Sequence, residues 1–315
     1  PAHAGAPPAA RATTASFVQL TDQPGVEKEP TVSPDGKSVA YAAESGEGLD
    51  LFFLRVGGRN PQNLTADSPA DDYQPAFSPD GETIAFRSER DGGGIFVMGS
   101  TGESVRRLTD FGYNPAWSPD GQWIAFSSNR TKDADANRNT DIFVVPPRPF
   151  AEPRPLTTAP TEAVSPAWSP DGKLIAYVEG GNPADMYYAV NHLSVVPVQG
   201  GESKPLTREL DRNPMRPRFS PDGRSLLFLL EDRLNIHLAR VPVAGGPVER
   251  VVSGDRVISA FDVGKKGEIV VLEAQTDRPE EVSLVAPAGA LKRLTQTNDE
   301  ALAGGPGVIA PREAP

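Results

Sequence analysis

The tetrapeptide Ser-Pro-Asp-Gly occurs five times, at Ser33–Gly36, Ser78–Gly81, Ser118–Gly121, Ser169–Gly172 and Ser220–Gly223, at intervals of 45, 40, 51 and 51 residues. Such a period means one supersecondary unit copied along the chain and packed against itself. Each copy carries turn chemistry. Proline presets φ at the first central position, aspartate can bond nearby backbone, and glycine accepts positive φ. The paired Asp35/Gly36, Asp80/Gly81, Asp120/Gly121, Asp171/Gly172 and Asp222/Gly223 therefore read as structural turn residues. One carboxylate per repeat at one fixed position is a capping device, whereas a catalytic pair would break the symmetry.

The second copy shows the whole unit. Gln74–Ser78 is a short run with its aromatic, Phe77, just before the turn, Thr83–Ser88 is a β-rich strand, Ile95–Met98 is a third, and Val105–Thr109 closes the unit after two further Gly-rich turns. Four short antiparallel strands in the 40 residues between copies is the size of a propeller blade. The opening strand recurs with Trp117 and Trp168, and the closing Leu-Thr recurs at Leu64, Leu108, Leu156 and Leu206. A worn sixth copy has Phe261–Gly267 at its turn and closes at Leu294-Thr295. An orphan Phe17-Val18-Gln19-Leu20-Thr21 precedes the first full copy. The expectation is an all-β, six-bladed β-propeller of four-stranded antiparallel blades, its ring closed by that N-terminal strand. Residues 16–302 form the propeller, flanked by tails at 1–15 and 303–315. The two tryptophans are expected to be buried between blades.

Composition narrows the function classes. A net charge of −11 disfavours a phosphate-backbone ligand, so no nucleic acid is expected. No apolar run reaches the ~20 residues of a membrane span. Cysteine is absent, which excludes disulfides and thiolate chemistry. Ala2-His3-Ala4 fits the small-x-small pattern of a signal-peptidase site, so a periplasmic or secreted location is expected.

Spelled out, the repeat resembles the TolB-type β-propeller repeat over roughly residues 17 to 296: aromatic-Ser-Pro-Asp-Gly, an Ile-Ala-Phe strand, an Asp-Gly turn, an Ile-Phe-Val strand and Leu-Thr. The resemblance implies two settings. TolB itself is a periplasmic scaffold that binds a lipoprotein at its propeller and carries a separate α/β domain ahead of it, which this chain lacks. The other setting is the N-terminal propeller of prolyl-oligopeptidase-family serine peptidases. Arg278–Val282 through Leu291–Leu302 is similar to the segment just before their hydrolase domain. Six blades fall below the seven or eight usual there, and no Gly-x-Ser-x-Gly nucleophile elbow occurs in the chain.

Catalysis within the propeller finds little support. Pectin-oligomer lyases with similar repeats hold a metal with several histidines. Here His3 lies in a tail, His192 in an inserted stretch and His237 within a strand, where a satisfied sheet histidine is the simpler reading. Asp133, Asp135, Asn137 and Asn139 alternate like calcium ligands, but Arg138 replaces the required glycine and Val144 the required glutamate of an EF-hand. The alternative is a solvated hairpin tip. No cofactor and no catalytic residue are assigned.

The residues just before each opening proline remain. Glu29, Tyr73, Gln74, Tyr113, Asn114 and Arg216 share one blade position and should meet at the channel mouth, where they suit a peptide or protein partner. The alternative is that they hydrogen-bond adjacent blades. A non-catalytic binding propeller, monomeric, is the expected function. A substrate-gating propeller of a serine peptidase whose hydrolase domain is absent from this chain is the alternative.

Overall fold

The expected turn forms at all five places. In the second copy, Ser78 Oγ donates to Asp80 Oδ1 at 2.5 Å, while Asp80 Oδ1 accepts from the Glu82 N–H at 3.0 Å. Ser78 Oγ in turn accepts from the Thr83 N–H at 2.9 Å, which starts the next strand. The serine–aspartate bond recurs at Ser33, Ser118, Ser169 and Ser220. Gly81 lies at φ +78°, in the left-handed region that a side chain resists. These features come from a computed structural model that describes residues 19–21, 25–46, 48–134, 137–149, 151–182, 185 and 188–303.

Each turn joins the first two strands of an antiparallel meander. Four separate sheets have four strands in sequential order, and their first strands are Glu27–Val32, Asp72–Phe77, Tyr113–Trp117 and Ala163–Trp168. A fifth sheet holds eight strands. It contains two further meanders, opening at Pro214–Phe219 and Val257–Val263, joined where Ile236 pairs in parallel with Val257. First strands of consecutive units contact one another through the fifth unit, so they stand side by side along an inner wall. The only α-helix among the described residues is Asp299–Ala303. This is the architecture of a β-propeller.

A four-stranded sheet has two faces, and each must be covered. Five core clusters do this, one per consecutive pair of units. Ala40, Ala42 and Leu51 of the first unit meet Ile84, Phe86 and Met98 of the second, for example. Alanine in the middle of the second strand leaves room for the aromatic of the next unit. Trp117 packs over Ala85 and Val97 and donates its Nε1 proton to Ala76 O at 3.0 Å. Trp168 repeats this one unit on, bonding Ala116 O at 2.9 Å. Both indoles are half-buried, where burial was expected.

Two smaller devices repeat at the seams. The proline of each turn backs the glycine of the next, with a Cβ built on Gly81, Gly121, Gly172 or Gly223 falling 3.4–3.9 Å from the preceding Pro34, Pro79, Pro119 or Pro170. At the outer edge a closing-strand side chain reaches a backbone carbonyl of the next unit: Gln62 to Thr101, Arg106 to Pro147, Arg154 to Val198 and Lys204 to Ala244. Within each unit the closing Leu-Thr also acts. Thr65, Thr109, Thr157, Thr207 and Thr295 Oγ1 each accept a third-strand N–H at 2.8–3.0 Å.

The described residues show no core cluster between the sixth and first units. Lys265 Nζ donates to Pro34 O there at 3.1 Å, while Val32 stays 56% exposed. Of the expected closing strand, Phe17 and Val18 lie outside the described residues, and Gln19–Thr21 belong to no strand. Residues 1–15 and 304–315 also lie outside them.

Two measurements check this account. Trp168→Ala should cost about 3 kcal/mol through lost seam packing, and Trp168→Phe about 1 kcal/mol through the unpaired Ala116 carbonyl. Equal, negligible losses in chemical denaturation would remove the seam role. Acid should also destabilise the turns. The serine hydroxyl, then the backbone N–H, hold Asp35, Asp80, Asp120, Asp171 and Asp222 below the usual carboxylate value. A group depressed in the folded state contributes fully above its unfolded value, about pH 4, and loses that contribution as pH falls through the folded one. Burial raises Asp72 and Asp141, which act in the opposite sense. The melting temperature is expected to hold between roughly pH 6 and 8 and to fall below about pH 4, less steeply in Asp120→Asn.

Candidate binding site

The residues before each opening proline adopt an unexpected backbone. Glu29, Gln74, Asn114, Ser165 and Arg216 all lie at φ between +52° and +59°. A residue before proline is ordinarily extended, and a left-handed non-glycine residue costs of order 1 kcal/mol. Register slips at this point in every first strand, between Tyr73 and Ala76 for instance. The result is a bulge that turns the backbone N–H out of its own ladder and towards the neighbouring unit.

The neighbour supplies the acceptor. Glu29 Oε2 accepts from the Gln74 N–H at 2.9 Å, and Gln74 Oε1 accepts from the Asn114 N–H at 2.7 Å. Three of the six expected mouth residues thus form a bonded chain across three units. Glu29 and Gln74 each commit one side-chain oxygen to it, which realises the inter-blade alternative at these two positions.

The two tyrosines meet through a residue that sequence reading missed. Arg87 is 5% exposed, next to the end of the second strand of the second unit. Its Nη2 and Nε bond Glu89 at 2.6 and 3.0 Å, and its Nη1 bonds Gly112 O at 3.1 Å. Its guanidinium lies 4.4 Å from the centre of the Tyr113 ring. Tyr73 Oη donates to Glu89 Oε1 at 2.7 Å. Burial first, and then the Glu89 carboxylate, push the Tyr73 phenol up to about 12. The Arg87 guanidinium holds the Glu89 carboxyl below its usual value. Tyr73, Glu89, Arg87 and Tyr113 are therefore one locked array, and Tyr113 is its exposed end, at 45%. Gly93 fits tightly beneath it, since a Cβ there would fall 2.3 Å from Arg87 Nη2.

Arg216 is exposed and has no bond to this array among the described contacts. Burial lowers Arg218 two residues on, and the Arg216 charge adds to this against the opposing pull of Asp262. Other sequence candidates are spent elsewhere. The Asn137 amide bonds Thr131 Oγ1, Asp133 O, Asn129 and the Asn139 N–H, so it closes a turn. Asp135 lies outside the described residues, and those described include no group of three acidic or histidine side chains able to hold a metal. His192 begins a strand, not an insertion, and its Nδ1 lies 3.3 Å from Thr207 O. His237 Nε2 lies 3.2 Å from Gly254 O, while its buried Nδ1 has no partner. No helix among the described residues is long and apolar enough to cross a membrane.

The comparisons accord with this geometry. Residues 11–142 match the TolB beta propeller domain. No curated protein matches the chain. Among solved structures, a putative TolB from Agrobacterium tumefaciens is 23% identical over 75% of this chain and 84% of its own, with a TM-score of 0.57. Pyrococcus horikoshii acylaminoacyl peptidase is 17% identical with a TM-score of 0.66, over 88% of this chain but 46% of the peptidase. An oligogalacturonate lyase from Vibrio parahaemolyticus is 11% identical over 87% of this chain and 80% of its own, with a TM-score of 0.67. At these identities the likeness is one of fold.

The lock on Tyr113 can be tested by titration. Glu89→Gln removes the carboxylate that raises Tyr73 and anchors Arg87. The Tyr73 phenol should then titrate below about 12, measured by ultraviolet absorbance against Tyr73→Phe. An unmoved titration would mean the array is not coupled.

Proposed function

We propose that the protein is a non-catalytic propeller that binds a peptide or protein segment at the mouth formed by the bulged ends of its first strands. The observation that carries this reading is the Tyr113 ring, 45% exposed and backed at 4.4 Å by a buried, carboxylate-locked guanidinium. An aromatic held in advance loses little freedom on binding, and its polar tip stays available to a partner. Asn114 beside it and Arg216 on the fifth unit add polar and cationic contacts. Together they suit an extended segment carrying an acidic group. The absence of a Gly-x-Ser-x-Gly elbow, and two folded-region histidines on backbone carbonyls, support a binding role over a catalytic one. Ala2-His3-Ala4 supports export to the periplasm or beyond.

A second reading has its own support. The chain overlays 88% of its length on under half of an acylaminoacyl peptidase. A gating propeller for a hydrolase would use the same mouth to screen peptides. In either case this chain by itself should not turn over acyl-peptide chromogenic substrates.

Peptides selected against the protein from a random display library should separate the mouth from other surfaces. Tyr113 belongs to none of the five core clusters, and Tyr113→Ala removes only its contact with the Arg87 guanidinium. It is expected to fold cooperatively, with a melting temperature lower by a few degrees at most, and to weaken selected peptides by roughly thirtyfold, the loss typical of a true anchor. Retained affinity in Tyr113→Ala would place binding elsewhere and end the mouth reading.

A further inference from the structure

The end of the propeller opposite this mouth carries a second site, and the seam between the fifth and sixth units makes it. Every seam from the first unit to the fifth has proline behind glycine at the turn and a side-chain clasp at the outer edge. At the fifth seam both devices are missing. Gly267 has nothing within 4 Å of the position a Cβ would take, so Pro221 does not back it. No described closing-strand side chain of the fifth unit bonds the sixth. The aromatic directly before the turn is also gone. Where Phe77, Trp117, Trp168 and Phe219 fill the earlier seams, the sixth unit has Val263. Leu227, Leu229, Ile258 and Val271 still pack between the two units deeper in, and main-chain pairing of Ile236 with Val257 joins them at the far end of the strands.

The missing volume is a cavity of about 390 Å³ between the two turns. That is within the size range of small-molecule sites. Leu227, Val251, Val263 and Ile269 give it an aliphatic lining. Arg240, Lys265 and Lys266 stand on its border with Asp222. Asp222 is already engaged by Ser220 and the Arg224 N–H, and Arg240 is paired with Glu249. Lys265 reaches the Pro34 carbonyl. Lys266 has no carboxylate partner among the described ion pairs. On a chain of net charge −11 this is a local cationic border over an aliphatic cleft. Lysine replaces the proline and the aspartate of the repeat at 265 and 266, beside Val263, so the worn turn that lines the cleft also charges its edge.

We infer that this cleft binds a medium-chain aliphatic carboxylate, with the alkyl chain against Val263 and Ile269 and the carboxylate at the Lys266 ammonium. Apolar burial supplies the attraction along the chain, and the ammonium fixes which end faces out. Charge complementarity selects the anion over a neutral amphiphile of the same length. Length is set by the cleft, so a four-carbon acid is too short to cover the aliphatic surface.

Isothermal titration with octanoate, 1-octanol and butyrate tests this on the whole chain. Octanoate is expected to bind saturably at one site per chain with a dissociation constant of roughly 1 mM or tighter, given the modest efficiency of small ligands. Octanol and butyrate should each bind at least about tenfold more weakly. Val263→Trp restores the aromatic of the other seams. It should abolish octanoate binding while leaving the melting temperature equal or higher. Lys266→Glu, an exposed change that keeps the fold, should weaken octanoate by about tenfold or more. No saturable binding of octanoate by millimolar concentrations would overturn the inference. So would octanol binding as tightly as octanoate, or octanoate binding unchanged in Lys266→Glu. Tyr113→Ala should bind octanoate as the parent does, which keeps this site separate from the mouth.

Discussion

The structure depends on covering both faces of a small twisted sheet. A four-stranded meander of this size cannot stand alone, because one apolar face or the other would remain in water. Stacking such sheets around an axis covers each face with the next unit, at the cost of a seam that must be filled. The middle strand of one unit contributes alanine and β-branched residues, and the first strand of the next contributes a ring. Trp117 over Ala85 and Trp168 over Ala125 are the fullest cases. The seam is also where neighbouring backbones come close enough for the indole N–H to find a carbonyl. Size, shape and polar satisfaction are therefore solved by one residue.

The repeat was legible because the turn has demanding chemistry. Ser78, Asp80 and Gly81 are each fixed by a bond or a torsion that few other residues supply, so the tetrapeptide survives copying. The worn sixth turn shows what that chemistry does. Gly264 and Gly267 keep the turn closed through Gly267 N–H to Gly264 O at 2.9 Å, but Gly267 is not backed by Pro221 across the fifth seam. Local geometry outlasted the packing function.

The candidate site was only half legible. Its ring positions followed from the repeat, since equal positions in equal units must face the same way. The left-handed bulge did not. Proline after Glu29, Gln74 and Asn114 argues for an extended residue, and only the neighbouring unit's side-chain oxygen makes the other conformation worthwhile. That acceptor is 40 to 45 residues away, beyond any local rule. Arg87 was hidden by a different cause. It lies in a strand that reads as apolar, Ile84-Ala85-Phe86, and nothing nearby marks it as a ligand of Glu89. Aligning the units internally would have exposed it. The equivalent residues of the other four units that keep the tetrapeptide are Ala42, Ser127, Val178 and Leu229, so Arg87 is the one charge at that position among these five.

Departures from the repeat are for this reason the places to look for function. What every unit shares, such as the turn aspartates and the closing threonines, is explained by holding a unit together. Arg87 under Tyr113 is not needed for that, because four other units do without it. A buried guanidinium has to be compensated by Glu89, Gly112 O and Tyr73, a larger polar commitment than any seam requires. What the commitment yields is an aromatic ring fixed in solvent at one point of the mouth. Val263 and Lys266 depart in the opposite sense, by giving up packing that four seams keep. In a fold whose stability is a sum over similar seams, a weak one is tolerated where the others are full. The fifth seam compensates with main-chain pairing at Ile236 and Val257, which leaves its other end free to open as a cleft.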